Sequence, residues 1–202
     1  MNHYFTNDYS KTDEKMIKVI INDEHFKFIT DRNTFSKSGL DFGTRSLLEN
    51  LDLKSIKGDI LDLGCGWGPI GIYIKKLTES NVFMSDVNIK ALNLSKKNAQ
   101  INKVDVNVIE SNSFENINNK FDYIITNPPI RIGKDKLYEI LNSSLNHLKE
   151  NGKLYFVINK NQGAKSTIKD FSKNYKVEVI KKNKGFFIIC IQNRWQLEEK
   201  SL

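Results

Sequence analysis

The segment Asn127-Pro128-Pro129-Ile130 joins a side-chain amide to two consecutive prolines. Proline fixes φ and has no backbone N–H, so two prolines in a row make a rigid loop whose carbonyl groups are free to accept hydrogen bonds. The Asn127 side-chain oxygen and the Pro128 carbonyl can therefore both accept from one planar amino group. An exocyclic amine on a base is a weak nucleophile, and two aimed acceptors favour the pyramidal form that can attack an electrophilic carbon. The alternative is that the prolines only end a strand and Asn127 stabilises a turn.

A glycine loop, Asp62-Leu63-Gly64-Cys65-Gly66-Trp67-Gly68, is the second segment that could bind a ligand. Glycines at such a turn let the backbone approach a ligand without an intervening Cβ. Gly66, Gly68 and Gly71 also match the dinucleotide pattern G-x-G-x-x-G, so a dinucleotide-binding oxidoreductase remains an alternative. The Asp62 carboxylate, however, lies just before the loop, where it would repel a pyrophosphate and attract a cofactor that carries an ammonium group and a sulfonium.

An acidic residue, Asp86, follows the next apolar segment and precedes Val87. Its carboxylate can accept hydrogen bonds from both hydroxyls of a ribose. The alternative is that Asp86 caps the helix that follows.

The elements that must hold these residues alternate between strand and helix patterns. Residues 16–30 predict a hairpin around Asn22-Asp23-Glu24, and Thr44 is the expected N-cap of the next helix. A later helix through Leu148 is expected to stop at Asn151-Gly152. Alternating strands and helices with short connections predict a parallel sheet covered on both faces, with ligands at the carboxyl ends of its strands. The predicted core strands and closing hairpin are 60–63, 82–84, 104–109, 123–125, 154–158, 177–180 and 186–191.

Composition fits one folded catalytic unit of 202 residues, with a net charge of +7 and 39% hydrophobic residues. No apolar run is long enough to span a membrane, and the N-terminus lacks the apolar stretch of a signal peptide. Cys65 and Cys190 are far apart and the three histidines are scattered, so neither a disulfide framework nor a metal site is expected. A cytoplasmic location is the expected one.

The glycine loop resembles that of class I S-adenosylmethionine-dependent methyltransferases. This resemblance implies a Rossmann-like α/β fold with a seven-stranded, mostly parallel sheet, an antiparallel last strand and helices on both faces. It also implies that the loop contacts the methionine part of S-adenosylmethionine and that Asp86 holds the ribose. The third strand end, Asn112-Ser113, would bind adenine, with Asn112 in place of the more common Asp. Phe114 either covers the adenine or belongs to the core.

The segment around Asn127 resembles the Asn-Pro-Pro-aromatic motif of amino methyltransferases, which act on adenine N6, guanine N2 or a protein glutamine. Ile130 replaces the aromatic residue, which makes the adenine and glutamine enzymes less favoured alternatives. Arg131 and Lys134 suit a phosphate beside a flipped base, or they are ordinary solvated charges.

A longer pattern is similar to that of the small-subunit ribosomal RNA guanine-N2 methyltransferases. It comprises His3-Tyr4-Phe5, Thr34-Phe35-Ser36-Lys37, Leu40-Asp41-Phe42-Gly43-Thr44-Arg45 and the two motifs above. The resemblance implies that Lys37 and Thr44 belong to the site, whereas the sequence alone fits equally well a hairpin and loop that cover the core. It also implies that ribosomal RNA or the small subunit is the partner. RNA could bind to a basic face that includes Lys181, Lys182 and Lys184, although such lysines are more often only solvated.

The sequence therefore predicts a single methyltransferase domain over 1–202. Residues 1–57 would cover the cofactor site, residues 58–191 would form the Rossmann-like core, and residues 192–202 would form a polar tail. The expected enzyme methylates N2 of a guanine in 16S ribosomal RNA. A non-catalytic RNA-binding module remains an alternative of another class.

Overall fold

The computed structural model describes residues 13–31, 39–129 and 132–193 of the chain. Lys37, Ile130, Arg131 and the segments 3–5 and 34–37 of the resemblance lie outside them. Within the described ranges the strands and helices follow one another in this order: β1 Glu14–Ile21, β2 Glu24–Asp31, α1 Phe42–Glu49, β3 Asp59–Leu63, α2 Pro69–Leu77, β4 Asn81–Asp86, α3 Ile89–Ile101, β5 Asn107–Glu110, β6 Phe121–Thr126, α4 Lys134–Asn146, β7 Leu148–Asn159, a 3₁₀ turn Lys160–Gln162, α5 Ala164–Phe171, β8 Tyr175–Asn183 and β9 Phe186–Asn193.

Seven of these strands form one sheet in the order β5-β4-β3-β6-β7-β9-β8. The neighbours from β5 to β7 are parallel, and β9 is antiparallel to both β7 and β8. This is the predicted mostly parallel sheet with an antiparallel last strand. The strand order reverses between β3 and β6, the place where ligands bind in open α/β sheets.

Side chains of the central strands alternate between two hydrophobic clusters, as the period of two residues in a strand requires. Tyr155 and Val157 of β7 face the cluster that contains α1, α2, α3 and the β1–β2 hairpin, whereas Leu154 and Phe156 face the cluster of α4 and α5. Helices thus cover both faces of the sheet. None of the helices among the described residues is both long and apolar enough to cross a membrane.

The β1–β2 hairpin is fastened to the core by one buried amide. Asn98 of α3 accepts from the Ile29 N–H at 2.6 Å and donates to the carbonyl oxygens of Ile29 and Trp67 at 2.9 and 2.8 Å. The rings of Phe28 and Trp67 also pack edge to face, with their centroids 4.8 Å apart. The hairpin is therefore connected to both α3 and the glycine loop.

Two of the predicted boundaries at helix ends are wrong. Helix α1 is capped by Asp41, whose Oδ1 accepts from the Thr44 N–H at 3.0 Å, so Thr44 lies inside the helix. The predicted strand 104–109 begins only at Asn107, because the Val104 N–H donates to the Ala99 carbonyl at 3.0 Å and closes the end of α3.

The predicted stop of α4 at Asn151-Gly152 is also wrong, since the helix ends at Asn146 and β7 begins at Leu148. Gly152 is needed for a different reason. A Cβ on Gly152 would lie 2.9 Å from the carbonyl oxygen of Phe121, so this glycine lets β7 pass close to β6.

Candidate functional site

The glycine loop lies between β3 and α2, and its glycines have two different functions. Gly64, Gly66 and Gly68 have φ values of 71°, 56° and 91°, a region that favours glycine. A Cβ on Gly64 would meet nothing within 4 Å, whereas a Cβ on Gly71 would lie 2.5 Å from the Met84 sulfur. Gly64 thus borders open space into which a ligand can fit, and Gly71 allows α2 to pack closely on the sheet.

Asp62 is fully buried beneath this loop. Its Oδ2 accepts from the Gly71 N–H at 2.8 Å, while its Oδ1 has no hydrogen-bond partner among the described residues. Burial raises the pKa of Asp62 to about 7; the Gly71 hydrogen bond opposes this rise and the charge of Asp86 adds to it. A buried, unpaired carboxylate oxygen is costly, and a cationic group beside the loop would compensate for it.

Asp86, at the end of β4, connects the second strand to the glycine loop. Its Oδ2 accepts from the Gly66 N–H at 2.8 Å and its Oδ1 accepts from the Asn88 N–H at 2.9 Å. The N-cap of α3 is Asn88, so the alternative that Asp86 caps this helix is wrong. Burial raises the pKa of Asp86, and the backbone N–H groups of Asn88, Gly66 and Val87 counteract that rise. Each carboxylate oxygen can accept more than one hydrogen bond, so both remain able to bind hydroxyls. Val87 is half-buried beside it.

Cys65 contributes to the loop through its packing. Its side chain is buried, its N–H donates to the Ser85 carbonyl at 2.8 Å, and its own carbonyl accepts from the Gly68 N–H at 2.9 Å. Burial also raises the pKa of the thiol. Cys65 therefore holds the shape of the turn.

The third strand end presents Asn112 at the surface. The Asn112 Nδ2 donates to the Glu115 carboxylate at 2.7 Å, which leaves the side-chain Oδ1 as the acceptor for an adenine amino group. Ser113 has a positive φ of 52°, and its carbonyl accepts from the Ser111 hydroxyl at 2.9 Å. Phe114 stacks on His147 with ring centroids 4.1 Å apart, which favours the core alternative for this residue.

Asn127, directly after β6, has its amide oriented by the start of α1. Its Nδ2 donates to the Thr44 hydroxyl at 2.9 Å and to the Asp41 Oδ1 at 3.2 Å. Because a carboxylate can only accept, the amide nitrogen must face Asp41, and Oδ1 is left as an outward acceptor. Pro128 is buried and Pro129 is exposed. The sequence pattern did not reveal the role of Asp41, which lies 86 positions from Asn127.

A cavity of about 270 Å³ opens beside this motif. One wall consists of Pro128, Pro129 and the start of α4, and the other follows β7 into the 3₁₀ turn. The sequence analysis missed the second wall, although the polar run at residues 159–162, where β7 ends, was a signal for it. The residues that line the cavity are Pro128, Pro129, Ile132, Gly133, Lys134, Leu137, Val157, Ile158, Asn161 and Gln162.

Lys134 lines the cavity but already has an anionic partner. Its Nζ lies 3.1 Å from the Asp170 carboxylate and 4.9 Å from the centroid of the Tyr138 ring. Hydrogen bonds from Tyr138 and Lys134 lower the pKa of Asp170 to about 2, and the Asp170 hydrogen bond raises the pKa of Lys134. A phosphate would therefore have to compete with Asp170. The part of the chain that the structure describes contains no cluster of three or more metal-ligating side chains.

Comparison with known proteins shows the family. The family of the methyltransferase small domain matches residues 25–190. The protein YbxB of Bacillus subtilis, whose function is uncharacterised, is 37% identical over 193 residues, which cover 93% of this chain and 96% of YbxB. The ribosomal RNA small subunit methyltransferase C of Haemophilus influenzae is 42% identical over 130 residues, or 62% of this chain and 39% of that protein. The chain thus spans about two fifths of the length of that relative.

Solved structures share the fold at low sequence identity. The 16S rRNA N2 G1207 methyltransferase of Thermus thermophilus, in complex with AdoMet and guanosine, matches with a TM-score of 0.79 and 20% identity, over 90% of this chain and 51% of that one. A ribosomal protein L11 methylase of Lactobacillus delbrueckii matches with a TM-score of 0.67 and 19% identity, over 79% and 83% of the two chains. Since the family match covers most of the residues and YbxB is similar over nearly its whole length, the chain belongs to the methyltransferase small domain family.

Proposed function

We propose that this protein transfers a methyl group from S-adenosylmethionine to N2 of a guanine in 16S ribosomal RNA. The observation that carries the proposal is the oriented amide of Asn127. Its nitrogen is held by Asp41 and Thr44, its oxygen remains an acceptor, and the two prolines that follow it in the chain line a cavity. An acceptor fixed in this way can orient an amine without a titrating side chain.

The residues of the glycine loop fit the cofactor. The buried Asp62 carboxylate can attract the ammonium group through its charge, Gly64 leaves space for the methionine part, and Asp86 can bind the ribose hydroxyls. Asn112 and Ser113 would bind the adenine. When bound, S-adenosylmethionine supplies an electrophilic methyl group on its sulfonium. The other residues predicted to bind the cofactor shape the backbone at the ends of β3 and β4. They are Cys65, Gly66, Gly68 and Val87.

The protein contributes orientation to the chemical step. The Asn127 Oδ1 and the Pro128 carbonyl accept the two hydrogens of the amine, which favours the pyramidal nitrogen and aims its lone pair outward. These acceptors also stabilise the positive charge that develops on the nitrogen as it is alkylated. The proton leaves from the product amine, for which solvent is a sufficient acceptor.

The choice of guanine in ribosomal RNA is supported by the relatives and by one residue. The curated relatives similar to the chain include several ribosomal RNA small subunit methyltransferases C, and the Thermus structure holds guanosine. Ile130 provides an apolar residue in place of the aromatic residue typical of adenine and glutamine enzymes. The contacts of Asp41 and Thr44 with Asn127 support the proposal that residues 1–57 belong to the same catalytic unit as 58–191.

The decisive experiment offers labelled S-adenosylmethionine with four acceptors in parallel: deproteinised 16S RNA, small ribosomal subunits, duplex DNA and a release factor. We expect label in RNA or subunits, recovered after nuclease digestion as N2-methylguanosine. Label found only in protein or DNA would refute the RNA proposal. Asn127→Ala is the matched control, because it should lose transfer while binding S-adenosylhomocysteine like the unmodified protein. Calorimetry with NAD tests the oxidoreductase alternative, and binding of NAD without S-adenosylhomocysteine would support that alternative.

A further inference from the structure

The turn between β8 and β9, residues 183–185, is held against two elements of the candidate site. The Gly185 carbonyl accepts from the Lys160 N–H at 2.7 Å, which attaches the turn to the 3₁₀ turn after β7. On the other side the Asn183 Nδ2 lies 3.4 Å from the Ser46 hydroxyl of α1. The turn is therefore a supported structure and presents its side chains from a defined position.

Two exposed lysines, Lys160 and Lys184, lie where the β8–β9 turn contacts the 3₁₀ turn. Lys184 has a positive φ of 45°, and its Nζ lies 5.3 Å from the centroid of the Phe42 ring at the start of α1. The aliphatic part of Lys160 lies along Gly185, with its Cδ 3.6 Å from the position of a Cβ on that glycine. We define Lys160 and Lys184 as the basic rim.

Each lysine of the basic rim is connected to the candidate site, because it either contacts or is itself a residue that lies next to a site residue in the chain. Phe42, which supports Lys184, follows Asp41, whose carboxylate orients Asn127. Lys160 begins the 3₁₀ turn that also carries Asn161, a residue of the cavity wall. A polymer with one unit in the cavity would therefore extend its neighbouring units toward these ammonium groups.

The charges of the basic rim are available for a ligand. Neither Lys160 nor Lys184 forms an ion pair with any described residue, whereas Lys134 is bound to Asp170. An unpaired ammonium group can bind a phosphate without first breaking an internal ion pair. The two lysines therefore suit a phosphodiester backbone better than the predicted Lys134 does.

We propose that the basic rim binds the phosphodiester backbone of the single-stranded RNA that flanks the target nucleotide. This inference rests on the proposed function and adds the surface on which the RNA lies. Contacts to phosphates fix the register of a nucleic acid and do not read its sequence, so the basic rim positions the strand while the cavity selects the base. Lys181 and Lys182, which the sequence analysis grouped with Lys184, lie on β8 outside the turn.

The test compares two double variants with equal loss of charge. Lys160→Gln with Lys184→Gln removes the basic rim, and Lys57→Gln with Lys120→Gln is the matched control. Both control lysines are exposed; Lys57 lies two residues before β3 and Lys120 directly precedes β6, so they lie at the amino ends of parallel strands, opposite the site. Each double variant changes the net charge from +7 to +5, that is, by two lysines.

The measurement is the affinity for a fluorescent single-stranded RNA as a function of salt, with thermal unfolding as the check of folding. We expect the variant of the basic rim to bind about tenfold more weakly at 0.1 M salt, and the slope of log K against log salt to shrink by about 1.4 for two lost phosphate contacts. The control variant should change neither the affinity nor the slope by more than about twofold. Equal effects in the two variants, or an unchanged slope, would overturn the proposal, as would wild-type binding of an acidic polypeptide in preference to RNA. Because binding is measured without methyl transfer, a failure of the proposed function is seen separately, as absence of label in RNA.

Discussion

Replacing Asn127 by Asp tests whether the orientation of the amide controls the reaction. The substitution keeps the shape of the side chain but puts a carboxylate where an N–H donates to the Asp41 Oδ1 at 3.2 Å. Coulomb's law gives a repulsion of about 5 kcal/mol at an effective dielectric constant of ~20 and about 1 kcal/mol in bulk water. Asp41 is exposed and Asn127 is half-buried, so the cost lies between these values. At about 1.4 kcal/mol per factor of ten, turnover should fall by about one to three orders of magnitude.

Asp41→Ser provides the sharper part of this test, since serine preserves the N-cap of α1 but has no oxygen that reaches residue 127. In the wild-type background it removes one hydrogen bond to Asn127, which is worth about 1 kcal/mol, so turnover should fall about fivefold. In the Asn127→Asp background it removes the repulsion, and Thr44 can donate its hydroxyl proton to the new carboxylate, so turnover should rise. The assay is the single-turnover rate of methyl transfer, with S-adenosylhomocysteine affinity as the control for the cofactor site. Additive losses in the double variant would refute the reasoning.

Three further predictions concern the glycine loop and its support. Gly64→Ala should weaken S-adenosylhomocysteine binding at least tenfold in calorimetry and, because the φ of 71° is unfavourable for alanine, should also lower the melting temperature. Gly71→Ala should lower the melting temperature because its Cβ would clash with Met84. The pKa of Asp62 is raised to about 7, so the carboxyl group becomes ionised as the pH rises from 6 to 8. The affinity for S-adenosylhomocysteine should therefore rise over the same interval. An Asp62→Asn variant that kept this pH dependence would contradict the role given to Asp62. Because its folded pKa exceeds the unfolded value, Asp62 should also make unfolding easier as the pH rises from about 4 to 7, with no further change above that. Asn98→Ala leaves one buried and two partly buried backbone groups without partners, so the free energy of unfolding in urea should fall by about 2 kcal/mol; a loss below about 1 kcal/mol would be inconsistent with these hydrogen bonds.

Local patterns were sufficient where the chemistry of the backbone itself dictates the structure. Glycines with positive φ mark the end of β3 because few other residues adopt that conformation, and the two prolines mark the end of β6 because they have no N–H to donate to a neighbouring strand. Asp86 was expected at the second strand end and lies there, hydrogen-bonded to the Gly66 N–H of the glycine loop. Boundaries were less predictable. Gly152 resembles a helix stop in the sequence, but the backbone of β6, which lies next to it only in the fold, determines its role.

The sequence by itself determined the fold class and placed the glycine loop and the Asn-Pro-Pro segment at the ends of strands, because short-range conformational preferences and strand–helix alternation encode these features. Only the tertiary structure decided which groups act together. It orients the Asn127 amide with Asp41 and Thr44, pairs Lys134 with Asp170, with which a phosphate would have to compete, and brings Lys160 beside Gly185. These contacts join residues far apart in the chain, and they depend on the order in which strands enter the sheet. That order follows from packing of the whole core, which no local pattern contains.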